Sequence, residues 1–224
     1  MLCEMLYVGL LPVLTFLILY LYLHYRYPKG NLSPFLCSFI YGAIISIFIV
    51  ALQMVVEAMG YAELKNLRRT AFHAFVVTGF AHQLGVFVVM MVFFYVKKYM
   101  RNPADGIVYA TGTSLGVAMV TGLHFASFYS GQNFYHTLIY SYPPAMVITA
   151  VPIGFFAGLA VMRNNTLVDL MTGLLASSFF LGLYVFCLYT HEFLLSVLSG
   201  AGLVAIAFLF AYKAVNTKWD NRRM

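Results

Sequence analysis

Seven apolar runs follow one another along the chain, at Tyr7 to Leu23, Phe35 to Ala58, Ala71 to Val96, Gly106 to Phe128, Pro144 to Met162, Leu167 to Thr190 and Phe193 to Tyr212. A helix crosses a hydrocarbon layer about 30 Å thick with about 20 residues, each rising about 1.5 Å. Inside that layer a segment must satisfy its own backbone N–H and C=O groups, so the runs are read as helices. Hydrophobic residues make up 62% of the 224 and charged residues 9%, against roughly 45–50% and about 25% in soluble domains. A water-soluble fold of this length has no interior large enough for the difference. The chain is predicted to be an all-α membrane protein, a polytopic bundle of transmembrane helices in its lipid bilayer. No repeat, linker or low-complexity stretch divides it, so residues 1–224 are read as one domain.

The fourth and fifth boundaries are read at Gly106 and Pro144. Between the last two runs, either His191–Glu192 or the cluster Ser199, Gly200, Gly202 is a candidate turn. The opening MLCEMLYVGLL lacks a basic n-region and a small-residue cleavage site, so the first run is expected to be a retained helix. Cys3, Cys37 and Cys187 have neither disulfide nor metal-ligand spacing and are expected to be core or lipid-facing residues.

The placement of the basic residues predicts orientation. With the N-terminus outside, the inner side holds Arg26, Lys29, Lys97, Lys98, Arg101, Arg163, Lys213, Lys218, Arg222 and Arg223, and the outer side only Lys65, Arg68 and Arg69. This excess predicts an outside N-terminus and a cytoplasmic C-terminus. The net charge of +6 is therefore a matter of topology, and nucleic acid is not an expected partner. The outer segment Gly60 to Thr70 reads either as a short helix on the headgroups, through Leu64 and Leu67, or as a solvated loop. Trp219 among the bases of the tail reads as an interfacial anchor.

Gly112 with Gly116, and Gly154 with Gly158, are small pairs four residues apart that permit close helix contact in lipid. They predict that the fourth and fifth helices are central. Asp105, after Pro103, is expected to cap the inner start of the fourth helix. Glu57 closes the second helix, where hydration or pairing with Arg68 or Arg69 is expected.

The stretch DGIVYATGTSLGVAMVTGLHF, Asp105 to Phe125, resembles the pattern DGIVYGxxxxLGFAxxENIxY of the PrsW family of intramembrane proteases. GFAHQLGV, Gly79 to Val86, stands where that family has GFxEExxK, and PAMVITAVPIGFFAGLA, Pro144 to Ala160, follows its PAHxxxxxxxGxxxGLA. LYTHEF, Leu188 to Phe193, is a looser counterpart of HGxYDF. The resemblance covers a core of roughly residues 70–195 and implies a multi-pass protein of a bacterial cytoplasmic membrane. It also implies where an active site would lie. His82 and Gln83 replace the paired glutamates, and Val86 the lysine. Thr121 and Gly122 replace glutamate and asparagine, and Met146 a histidine. Leu188 replaces the last histidine, while Glu192 keeps that motif's carboxylate.

Such a chain is expected to be proteolytically inactive, a binding or scaffold subunit for transmembrane clients, with no cofactor. The alternative is a divergent intramembrane metalloprotease that cleaves a membrane-anchored regulatory protein, with zinc on His82, His124 and Glu192 and with His191 beside them. A metal-activated hydrolase needs about three ligands and a general base. His124 lies three residues after Thr121 and shares its face of the fourth helix. His73 and His136 are read as outer interfacial or loop residues, and His24 as an inner one. No file of charges crosses the membrane, which disfavours a transporter or channel.

Overall fold

The computed structural model describes the backbone of residues 2–26, 32–61, 66–129, 133–163, 166–190 and 192–220, and the side chains of these except 2–4, 61, 129, 133–136, 193 and 218–220. Seven helices in it are long and apolar enough to cross a membrane. We number them α1 (Leu2–Arg26), α2 (Ser33–Val56), α3 (Leu67–Tyr95), α4 (Pro103–Tyr129), α5 (Asn133–Met162), α6 (Thr166–Tyr189) and α7 (Phe193–Asp220). Large apolar side chains such as Ile18, Ile47, Phe48, Leu175, Phe208 and Leu209 lie exposed on the outside. A soluble protein would hide them, whereas lipid solvates them.

Glycine decides which helices meet. Gly154 and Gly158 of α5 lie against Gly106 and Pro103 of α4, while Gly112 and Gly116 face the other way, onto Ser38 and Phe39 of α2. Helix α4 is thus sandwiched between α2 and α5, and the expected central place of the fourth and fifth helices holds. In their apolar windows 67% of residues are buried, against 11% in α1 and 6% in α7. Ala214 and Phe210 of α7 pack on Phe155, Phe156 and Leu159 of α5.

Two boundaries differ from the sequence reading, and a third falls at one of its two alternatives. Helix α5 starts at Asn133, ten residues before Pro143, and runs through Pro143, Pro144 and Pro152. Pro144 has no N–H for the carbonyl of Tyr140 one turn earlier, and the Tyr7 hydroxyl of α1 donates to that carbonyl at 3.4 Å instead. Of the two candidate turns between the last helices, the first holds: α6 ends at Tyr189 and α7 begins at Phe193, with Ser199, Gly200 and Gly202 inside it. Leu67 to Thr70 is the first turn of α3, where Asn66 Oδ1 accepts the N–H of Arg69 at 3.1 Å. Gly60, at φ 80°, ends the widened turn Glu57–Tyr61 that extends α2.

The start of α4 is capped by two residues rather than by Asp105 alone. Asn102 Oδ1 accepts from Asp105 N at 2.9 Å, and Asp105 Oδ2 accepts from Arg101 N at 3.2 Å. Pro103 between them occupies the first helical position, where its missing donor costs nothing. Cys37 is half-buried and Cys187 buried, both unbridged. The side chains of Cys3, His136, His191 and Trp219 lie outside those described.

Candidate functional site

Helix α3 is the least regular span, and its irregularity aligns polar groups. Its segment His73–Phe80 is π-helical, with hydrogen bonds five residues back. That spacing sets His73 and Thr78 on one stripe, with His82 and Gln83 one turn further, and all four are buried. Gly79 lets α6 approach until the Ser178 carbonyl and Gly182 Cα would lie within 3 Å of a Cβ at that position.

Three of the four helices that carry family-matched positions bring them together. Gln83 Nε2 of α3 donates to Thr149 Oγ1 of α5 at 2.7 Å and lies 3.8 Å from Met146 Sδ. The carbonyl of Met146 accepts from Ser114 Oγ of α4 at 2.6 Å. Thr121 Oγ1 of α4 is hydrogen-bonded at 3.0 Å to the hydroxyl of Tyr142, on α5. The His82 ring lies edge-on to Tyr142 and Phe125, at centroid distances of 5.6 and 6.2 Å. His82, Gln83, Thr121 and Met146 are each wholly buried. Gly122, at the asparagine position, is filled from outside: Val8 Cγ1 of α1 occupies the space of a side chain there.

The matched position on α6, Leu188, packs half-buried against this core. Glu192 does not join it and is exposed just before α7. Among the described residues no three His, Cys, Asp or Glu side chains group as metal ligands. His82, His124 and Glu192 therefore do not form the ligand set expected of them, because Glu192 sits beyond the end of α6 while His82 lies deep in α3. The described side chains do not fit a metal centre.

Several buried groups were misplaced or missed in the sequence. Glu57 is turned inward, with its Oε1 3.8 Å from His124 Nε2 and side-chain exposures of 14% and 5%. It lies one turn beyond the buried Gln53, on the same face of α2. His73, expected near the surface, is buried edge-on to Tyr189 at 5.7 Å. His24 is exposed as expected. Thr149 and Gln53 lie in apolar runs and Tyr142 just before one, and nothing in their spacing marks them.

The interior is polar beyond these pairs. Both polar atoms of the Gln53 amide, both ring nitrogens of His73 and His82, and the hydroxyls of Thr78, Ser177 and Ser178 are buried without a hydrogen-bond partner. The Thr78 carbonyl, one turn before His82, lies near that ring but outside hydrogen-bond geometry.

No family model matches this chain, and no solved structure matches it. A Protease PrsW of Shouchella clausii (strain KSM-K16) is 25% identical to it over 147 residues. That match takes in 65% of this chain and 65% of the relative's length. With its seven apolar helices, the chain is a multi-pass membrane protein similar to PrsW.

Proposed function

We propose that this protein is a PrsW-type membrane protein that binds a membrane-anchored protein segment and does not cleave it. One observation carries the reading. The positions that correspond to the family's active groups meet on α3, α4 and α5, and they bear His82, Gln83, Thr121 and Met146, with no carboxylate among them. Hydrolysis of a peptide bond needs an activated water and a group to take its proton. An amide, a hydroxyl and a thioether supply neither, and a lone histidine without a metal or carboxylate partner is a poor base for water. The unpartnered groups of Gln53, His82, Ser177 and Ser178 support binding. A client backbone unwound in the bundle would need such groups, because lipid offers it none.

In this reading the N-terminus lies outside, the C-terminus in the cytoplasm, and the protein sits in a bacterial cytoplasmic membrane without a metal. A photo-crosslinking residue at Leu188, half-buried against the core, tests it in living cells. The reading expects a single-pass membrane protein captured at full length. Capture only of shortened fragments, with full-length protein appearing in His82→Ala, would make the chain a hydrolase; no capture would remove the client.

A further inference from the structure

At the boundary opposite Glu57, α2 begins and α3 ends side by side, enclosing a cleft of about 80 Å³. Its rim is polar, formed by Ser33, Lys97 and Tyr99, and its floor is Cys37, Tyr41 and Phe93. Tyr41 lies eight residues into α2, so the floor reaches about 12 Å below the rim at about 1.5 Å per residue. Tyr41 and Phe93 stack at 3.9 Å and form its wall. The Lys97 ammonium stands 5.3 Å from the Phe93 ring centroid, at the mouth.

The backbone that presents this lysine is unusual. Lys98 has φ 56°, a left-handed conformation that glycine adopts at lower cost. Tyr99 N donates to Phe94 O at 3.0 Å and Lys98 N to Tyr95 O at 3.1 Å, the pair of bonds that closes a Schellman helix end. The Tyr99 and Phe94 rings, 6.4 Å apart, supply the accompanying apolar contact. This end folds Tyr99 back over the cleft while Lys97, Lys98 and Arg101 follow one another at the boundary. The carboxylate nearby in sequence, Asp105, is engaged with the N–H of Arg101.

We propose that this cleft binds one anionic phospholipid, with its phosphate at Lys97, Ser33 and Tyr99 and its upper acyl carbons on Tyr41 and Phe93. The gradient from rim to floor selects that ligand. A zwitterionic headgroup would bring its own cation beside Lys97, Lys98 and Arg101, where it is repelled, and a water-soluble phosphate would leave the aromatic floor unmatched. Bases at a membrane boundary attract anionic lipid, and the cleft adds a fixed place for it. This inference is independent of the client reading.

Native mass spectrometry of the detergent-purified chain, given equal phosphatidylglycerol and phosphatidylcholine, tests the site. Phosphatidylglycerol is expected to be retained in preference. Lys97→Gln should lower that retention about fivefold, while Lys213→Gln, which removes the same charge from exposed α7, should leave it intact. Thermal unfolding of both variants confirms that each is folded. Equal retention of the two lipids, or equal loss in both variants, would overturn the proposal. So would displacement of the lipid by inorganic phosphate, which would make this a soluble-anion site.

Discussion

Gln83 and Thr149 are joined by a 2.7 Å hydrogen bond between α3 and α5, fully buried. Gln83 stands at a position matched by pattern to a glutamate of the PrsW motifs. Its amide can donate, which a carboxylate cannot, and it does so to a threonine that itself donates to Ala145 O one turn back at 2.8 Å. The position therefore works as a neutral helix-to-helix link. Thr149→Val should destabilise the bundle by about 1 kcal/mol, the scale of hydrogen bonds between membrane helices. Adding Gln83→Leu should cost less than the two single losses summed, because the pair is one interaction. Unfolding in mixed detergent reads both; additive losses would mean that the bond contributes nothing.

The contact between α4 and α5 depends on the absence of side chains. A Cβ at Gly154 would lie 2.5 Å from the Gly106 carbonyl and from Ile107 Cα, both backbone atoms that cannot yield locally. Gly154→Ala is expected to destabilise by about 1–3 kcal/mol. Gly202→Ala, where nothing lies within 4 Å, should be neutral or slightly stabilising, since alanine favours helix. A melting temperature unchanged in Gly154→Ala would argue against this helix pairing.

Glu57, at the end of α2, and His124, in the last turns of α4, lie 3.8 Å apart. A double-mutant cycle with Glu57→Gln and His124→Asn should give a coupling of about 1 kcal/mol. Independent effects of the two changes would show that the residues are neighbours without interaction.

Orientation is open to direct test. Fused after Met224, alkaline phosphatase should be inactive and a green fluorescent reporter bright, as for a cytoplasmic end. The reverse pattern would invert the placement of every site described here, though not their geometry.

The spans were legible because apolar run length answers to bilayer thickness alone. What sequence could not give were features that depend on a neighbour. Pro144 reads locally as a helix start, yet α5 passes through it, and Tyr7 on a different helix donates to the freed carbonyl. Glu57 reads as a surface charge, and only the packing of α2 on α4 sets it beside His124. The matched positions come from a pattern, and contacts join those on α3, α4 and α5. The pattern did not show that Glu192 stays outside, because that depends on where α6 ends. Nor did it show that Val8 fills the space beside Gly122.

In the reading proposed above, the site matched to the protease motifs has no hydrolytic machinery. Elemental analysis of the purified chain, compared with His82→Ala, tests it most directly. The account expects no zinc or other transition metal near one equivalent per chain, and no difference between the two proteins. Near-stoichiometric metal that disappears with His82 would contradict it and would place a metalloprotease centre on α3.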